Sequence, residues 1–179
     1  MDRQPSDFVT SRMRLRDYDY SLPGSYFVTL VTTNRLCLFG TANDSGMHLS
    51  DAGREVASFW EAIPSRYPII SLDAWVVMPN HLHGILAIEA TDQGTQPAAA
   101  TAISTVIQWF KTQSTLAYRT GVRQQGWQPY PGKLWQPRFH DRVLRNEFEL
   151  EQKRAYIEAN PYRWPQDPDN PGDGRFGRS

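Results

Sequence analysis

Two histidines stand one residue apart in "MPNHLHGIL", Met78 to Leu86, inside an otherwise apolar run. In an extended chain the side chains at i and i+2 leave the same face, so His81 and His83 point together while Leu82, Leu86 and Ile88 point the other way. Two neutral imidazoles so placed can hold one divalent cation from one side, and a third nitrogen or oxygen donor would leave positions open for a substrate. A hydrogen-bonded interior pair has the same spacing, and spacing alone does not separate the two. A closed structural zinc site fits poorly, because the chain has one cysteine and His48 and His140 have no ligand-like spacing.

A second pair lies in "ELEQKRAYIEANPYRW". Tyr156 and Asn160 are four residues apart, so on a helix a phenol and an amide oxygen share a face. A phenol is a poor nucleophile while protonated, with a reference pKa of roughly 10. It can attack a phosphodiester if a metal polarises the phosphate and the phenol gives up its proton during attack. The product is a phosphotyrosine ester, which conserves the bond energy for rejoining. The ordinary alternatives are a helical tyrosine that only packs, and an asparagine that ends a helix before Pro161.

The elements that would position these groups are legible in the pattern of apolar residues. "YFVTLVTTN", Tyr26 to Asn34, reads as a strand after the Pro23-Gly24 turn. Val56, Phe59, Trp60 and Ile63 have amphipathic-helix spacing, with Ser50 as N-cap and Pro64 as the stop. "IISLDAWVVM" and "HLHGILAIE" are strands joined at Pro79-Asn80. Ile103, Val106, Ile107, Phe110 and Leu116 predict a helix from Ala102 to about Tyr118, followed by a turn-rich loop, "RTGVRQQGWQPYPGK". A strand around Phe139 to Leu144 leads to a last helix, opened by Asn146 and Glu149 as a capping box and closed at Asn160.

The predicted order β-α-β-β-α-β-α gives an α+β fold: a ferredoxin-like split βαβ antiparallel sheet with two helices on one face. The additional C-terminal helix, which carries the tyrosine, is free to cover the other. The predicted organisation is a basic N-terminal segment over 1–25, a single domain over 26–164, and a disordered tail over 165–179, rich in Pro, Gly and Asp. At 179 residues the chain can bury one core without disulfide support. No run of about 18 apolar residues or leader-like segment occurs, and the expectation is a soluble, cytoplasmic protein without a membrane partner. Nineteen basic side chains balance nineteen acidic ones, so bulk charge does not announce a polyanion partner. Basic residues nevertheless cluster near the N-terminus and in the last third.

In order, "SYFVTLVTTNRLCLFG", "VVMPNHLHGIL", "VIQWFKTQST" and "LWQPRFHDRVLRNEFELEQKRAYIEANPYRW" resemble the REP-associated tyrosine transposases, a branch of the single-tyrosine His-hydrophobic-His superfamily. The resemblance runs from about Arg12 to Trp164. It implies a transposase that binds Mg2+ or Mn2+ through His81 and His83, with Asn160 completing the metal site. Tyr156 would cleave single-stranded DNA through a 5′-phosphotyrosine link at or near REP-like hairpins, in a chain that works as a monomer or, as in some related transposases, as a dimer whose tyrosine helices serve each other's histidines. Arg12, Arg14 and Arg16 fall in the family's N-terminal basic segment as phosphate contacts. Lys111 falls in its Phe-Lys motif, Arg142 stands where relatives more often have histidine, and Arg138 and Arg145 flank the same strand as DNA-binding candidates. Trp109, Trp135 and Phe139 are either base-stacking or core residues. The competing expectation is a protein of the same fold that holds hairpin nucleic acid without cutting it. Hydrolysis of small substrates is disfavoured, because no nucleotide loop, metalloprotease helix or nucleophile elbow is present.

Overall fold

The structure, a computed structural model, describes residues 22–90 and 102–173. Its elements are β1 (Gly24–Val31), β2 (Gly40–Asn43), β3 (Gly46–Leu49), α1 (Asp51–Glu61), α2 (Ile63–Arg66), β4 (Ile70–Val77), β5 (His81–Ile88), α3 (Ile103–Gln124), β6 (His140–Leu144) and α4 (Glu147–Ala159). Short 3-10 turns follow β1 and α4. The strands β4, β5, β1 and β6 lie in that order in one sheet, each antiparallel to its neighbour. Because β1 and β4 both run against β5, they are parallel to each other and joined across it through α1. This is the split βαβ, ferredoxin-like topology.

Alternation along the central strands assigns their two faces. Tyr26, Val28 and Leu30 of β1 join Leu82, Leu86 and Ile88 of β5 in the main core, under α1 and α3. The helices seat there through Val56, Trp60, Ile103, Val106, Ile107 and Phe110. Ser50 caps α1, its hydroxyl accepting from the Gly53 N–H at 3.1 Å. On the opposite face Phe27, Ile85, Leu144 and Ile157 form a second, smaller cluster under α4. With both faces covered, β5 is buried along nearly its whole length, as a central strand between two helical layers must be.

Three expectations need correction. The chain between β1 and α1 contains the hairpin β2–β3, which pairs Gly40 with Leu49 and Asn43 with Gly46. Its strands are short and half polar, so no alternation betrays them. The third helix runs to Gln124, beyond Tyr118, and takes in the start of the expected loop. Gly121 is tolerated there because the Trp127 ring folds onto it, and a Cβ would meet that ring at 2.1 Å. Residues 165–173 do not belong to a disordered tail: Pro161–Gln166 forms a 3-10 helix, and Asp167 is buried. Contacts from Arg35 and Asn80, far away in sequence, hold this segment. Among the described residues no helix is long and apolar enough to cross a membrane.

One glycine lets the histidine strand carry a helix on its other side. A Cβ on Gly84 would lie 2.3 Å from the ring of Trp60, which fills the space above it and meets Phe110 edge-on at 5.3 Å. We expect Gly84→Ala to lower stability by about 1–3 kcal/mol through overpacking, read as a lower denaturation midpoint in urea at unchanged slope.

Candidate active site

The turn between β4 and β5 sets the first histidine. The Met78 N–H donates to the His81 carbonyl at 2.8 Å, leaving Pro79 and Asn80 at the tip. The Asn80 side chain turns inward, and its Nδ2 donates to the Arg35 carbonyl at 3.0 Å and to the Asp169 carbonyl at 2.7 Å. Two carbonyl acceptors on one side identify that side as the NH2, so Oδ1 is the atom 2.8 Å from Nδ1 of His81. An amide oxygen only accepts, and Nδ1 of His81 therefore carries the proton. Its Nε2 is left with a bare lone pair.

That lone pair is buried and has no hydrogen-bond partner, and the same is true of Oδ1 of Asn160. Buried acceptors without donors are costly, and here they converge with the donors of a cation site. His81, His83 and Asp167 each offer a ligand atom, all within 4.8 Å of one another, and all three residues are buried. Two imidazole nitrogens, one carboxylate and one amide oxygen suit Mn2+ or Mg2+, with the nitrogens favouring Mn2+ and the oxygens Mg2+. The residues present fit the metal that the histidine pair implies.

The second histidine meets the tyrosine. Nδ1 of His83 lies 2.8 Å from the Thr29 hydroxyl, and its Nε2 lies 3.2 Å from the Tyr156 hydroxyl. Phe27 stacks on His83 at 5.4 Å and meets the Tyr156 ring edge-on at 6.1 Å, so one aromatic side chain braces both. The two imidazoles are 4.5 Å apart between centroids, and Trp164 stands 6.0 Å from His81 on the far side.

The start and the middle of α4 are fixed independently of these contacts. Asn146 caps it by accepting from the Glu149 N–H at 2.9 Å. The Glu149 carboxylate does not reach back to Asn146; it accepts from the Arg145 N–H at 3.0 Å. Farther along, Arg154 forks onto Asp73 with bonds of 2.9 and 2.6 Å, gripping the bulge that interrupts β4 between Leu72 and Trp75. Asn160 keeps helical angles, φ −59° and ψ −44°, despite the following proline, which holds it on the side of Tyr156.

The structure brings His81, His83, Tyr156 and Asn160 together. Asp167 joins them although its surroundings in sequence read as tail; the usable signal was the aromatic Trp164 just ahead of it. Asn80 stood beside the histidines but read as a turn residue alone. The other candidates lie elsewhere. Lys111 donates to the carbonyls of Gln136 (2.8 Å) and Arg138 (3.3 Å), bracing the approach to β6. Burial lowers its pKa to about 8. Arg138, Arg142 and Arg145 are exposed along β6, an edge strand, and Arg142 pairs with Glu149 at 2.9 Å. Trp135 is core, Trp109 packs against Tyr67, and Phe139 is partly buried against the core. Arg12, Arg14 and Arg16 lie outside the described residues.

A ferredoxin-like sheet that presents a His-x-His pair to a tyrosine on a following helix is the arrangement that the resemblance to the single-tyrosine His-hydrophobic-His transposases implies. No family model matches the chain. It is 32% identical over 163 residues to an uncharacterized protein of Haemophilus influenzae, covering 87% of this chain and 89% of that one. A second Haemophilus influenzae protein, named "Putative REP-associated tyrosine transposase", is 25% identical over 148 residues, 81% of this chain and 74% of the other. A solved structure of a REP-associated tyrosine transposase bound to a REP hairpin superposes with a TM-score of 0.60 at 22% identity, covering 84% of this chain and 73% of that one, and establishes the shared fold. The chain is thus similar in sequence to a protein named as a REP-associated tyrosine transposase and shares the fold of a solved one.

Burial governs protonation in the site. It drives His81 below the ordinary histidine pKa against the pull of Asp167 and Asp169, and it drives His83 well below, helped by His81 and Lys153. The Tyr156 phenol is pushed up to about 12, by burial first and then by the Asp167 carboxylate. Both histidines are thus neutral when folded, whereas the unfolded chain protonates them near pH ~6.5. Their contribution to stability is complete above about pH 6.5 and is lost as pH falls below it, since unfolding then takes up protons. The lowered carboxylates Asp73 and Glu149 act in a separate window, below about pH 4.5. We expect the melting temperature of chelator-treated protein to drop between about pH 7.5 and 5.5, and to drop less in His83→Gln. A melting temperature flat over that interval contradicts the assignment.

Proposed function

We propose that this protein is a metal-dependent single-stranded DNA endonuclease and strand transferase that cuts at or near REP-type hairpins through a 5′-phosphotyrosine at Tyr156. One observation carries the reading: the Tyr156 hydroxyl stands 3.2 Å from a histidine whose neighbour offers a buried, unpartnered nitrogen, beside an equally unpartnered asparagine oxygen. Hairpin DNA as the substrate is supported by the solved relative, which is bound to a REP hairpin.

His81, His83 and Asp167 would hold Mg2+ or Mn2+, with Asn160 as a further oxygen donor. When bound, the cation polarises the phosphate and offsets charge on the departing oxygen. The protein does the rest by placement. Asn80 holds the His81 proton on Nδ1, so that Nε2 faces the site. Phe27, packed on both rings, limits the phenol to one approach. Tyr156 forms the bond to phosphorus as the bond to the 3′ oxygen breaks; the phenol gives up its proton and the 3′ oxygen departs protonated. Reversal of these steps with a new 3′ end rejoins the strand.

Tyrosine and histidines meet within one chain, which supports action as a monomer. The DNA-contact assignments stay with Arg12, Arg14 and Arg16, with Lys111 beside β6, and with Arg138, Arg142 and Arg145 along the exposed edge. Loss of a phosphate contact reduces the salt dependence of binding by about 0.7–0.9 in the log–log slope. Arg138→Ala and Arg145→Ala are each expected to do so.

The deciding experiment incubates the protein with hairpin oligonucleotides carrying a single-stranded flank, with Mn2+ or Mg2+, and looks for a protein–DNA species that survives denaturation. We expect this adduct to be absent in Tyr156→Phe and reduced at least about 100-fold in His81→Ala and His83→Ala, the scale of losing a principal electrostatic group. An adduct that persists in Tyr156→Phe removes the assignment. Hairpin binding without metal dependence and without cleavage instead favours a protein that holds hairpin DNA intact.

A further inference from the structure

We propose that Lys153 is a second catalytic residue, whose ammonium grips a non-bridging oxygen of the phosphodiester that Tyr156 attacks. The inference rests on the strand-transfer reading and adds a substrate contact to it. Lys153 precedes Tyr156 by three residues, so both project from one face of α4. Its Nζ lies 4.5 Å from the centre of the Phe27 ring and 5.0 Å from that of Tyr156. Phe27 neighbours Ile85 in register while Val31 neighbours His81, which places Lys153 on the flank of His83 away from His81. The ammonium therefore stands on the Phe27 and Tyr156 side of His83, with His81 on the other.

Glu149 attracts Lys153 without pairing with it, so the ammonium keeps capacity for a further anion. Among the described residues, no carboxylate forms an ion pair with it. Glu149, one turn earlier, is already committed to the Arg142 guanidinium at 2.9 Å and to the Arg145 N–H at 3.0 Å. The other groups near it are Arg142 and His83, neither of which is negative. Half-buried and resting on two aromatic faces, the ammonium has lost part of its hydration and gained cation–π contacts in exchange. Burial, then the nearby Arg142, lowers its pKa from the ordinary lysine value. A phosphate brought to roughly 3–3.5 Å from the phenol oxygen for attack has oxygens within reach of this side chain. As Tyr156 bonds to phosphorus and the bond to the 3′ oxygen breaks, negative charge on the non-bridging oxygens moves against a cation already in place.

Single-turnover adduct formation at saturating hairpin oligonucleotide and Mn2+ tests the contact. Lys153→Gln is expected to slow the step about 10- to 100-fold while changing the dissociation constant, measured without metal, less than about threefold. Lys153→Arg keeps the charge and recovers most of the rate. A Gln variant as fast as wild type, or an Arg variant no faster than the Gln variant, overturns the proposal; either result leaves the Tyr156 adduct, and the strand-transfer reading, standing. If wild-type protein forms no adduct, that reading fails, and the contact is read directly by reductive methylation with and without the oligonucleotide. Protection of Lys153 beyond that of the exposed Lys133 then supports the phosphate contact, and equal labelling overturns it.

Discussion

The carboxamide of Asn80 joins three stretches of chain that lie far apart in sequence. Its NH2 is taken up by carbonyls from the turn after β1 and from the segment after α4, and only its oxygen remains for His81. The proton of His81 is thereby confined to the nitrogen facing away from the site, while burial disfavours a second one against the pull of Asp167 and Asp169. An imidazole fixed in this way turns a bare, buried nitrogen toward Asp167 and Asn160. The orientation needed for chemistry is therefore supplied by backbone carbonyls distant in sequence, and it holds only in the complete fold.

Around that amide the architecture divides its labour across the sheet. The face under α1 and α3 holds the larger core, with Trp60, Phe110 and the leucines of β5, and supplies the rigid floor. The face under α4 holds only a handful of apolar residues, and the imidazoles occupy the space that they leave. The bidentate Arg154–Asp73 bridge and the asparagine cap fix α4 at points other than the site. Tyr156 can then remain half-buried beside His83.

Much of this was legible in the chain itself. Period-two and period-3.6 patterns gave the order of strands and helices, and the i, i+2 rule placed both histidines opposite the leucines. The four-residue step from Tyr156 to Asn160 marked the facing helix. What escaped has a common cause. The β2–β3 hairpin is short and half polar, α3 continues past Tyr118 because Trp127 shelters a glycine, and Asp167 stands among prolines and aspartates that resemble tail. In each case long-range contacts, not local propensity, order the segment. The Asn80 amide was adjacent to the motif, yet its role depends on Arg35 and Asp169, whose proximity no local pattern encodes.

The alternation along β5 also bears on how such a chain can change over evolutionary time. Because successive side chains alternate between the core and the site, inserting or deleting a single residue in this strand would turn the imidazoles toward Trp60 and the leucines toward the tyrosine. Substitutions can accumulate one face at a time, but a change of length here damages stability and chemistry together. The connecting loops, outside the alternating frame, carry no such constraint.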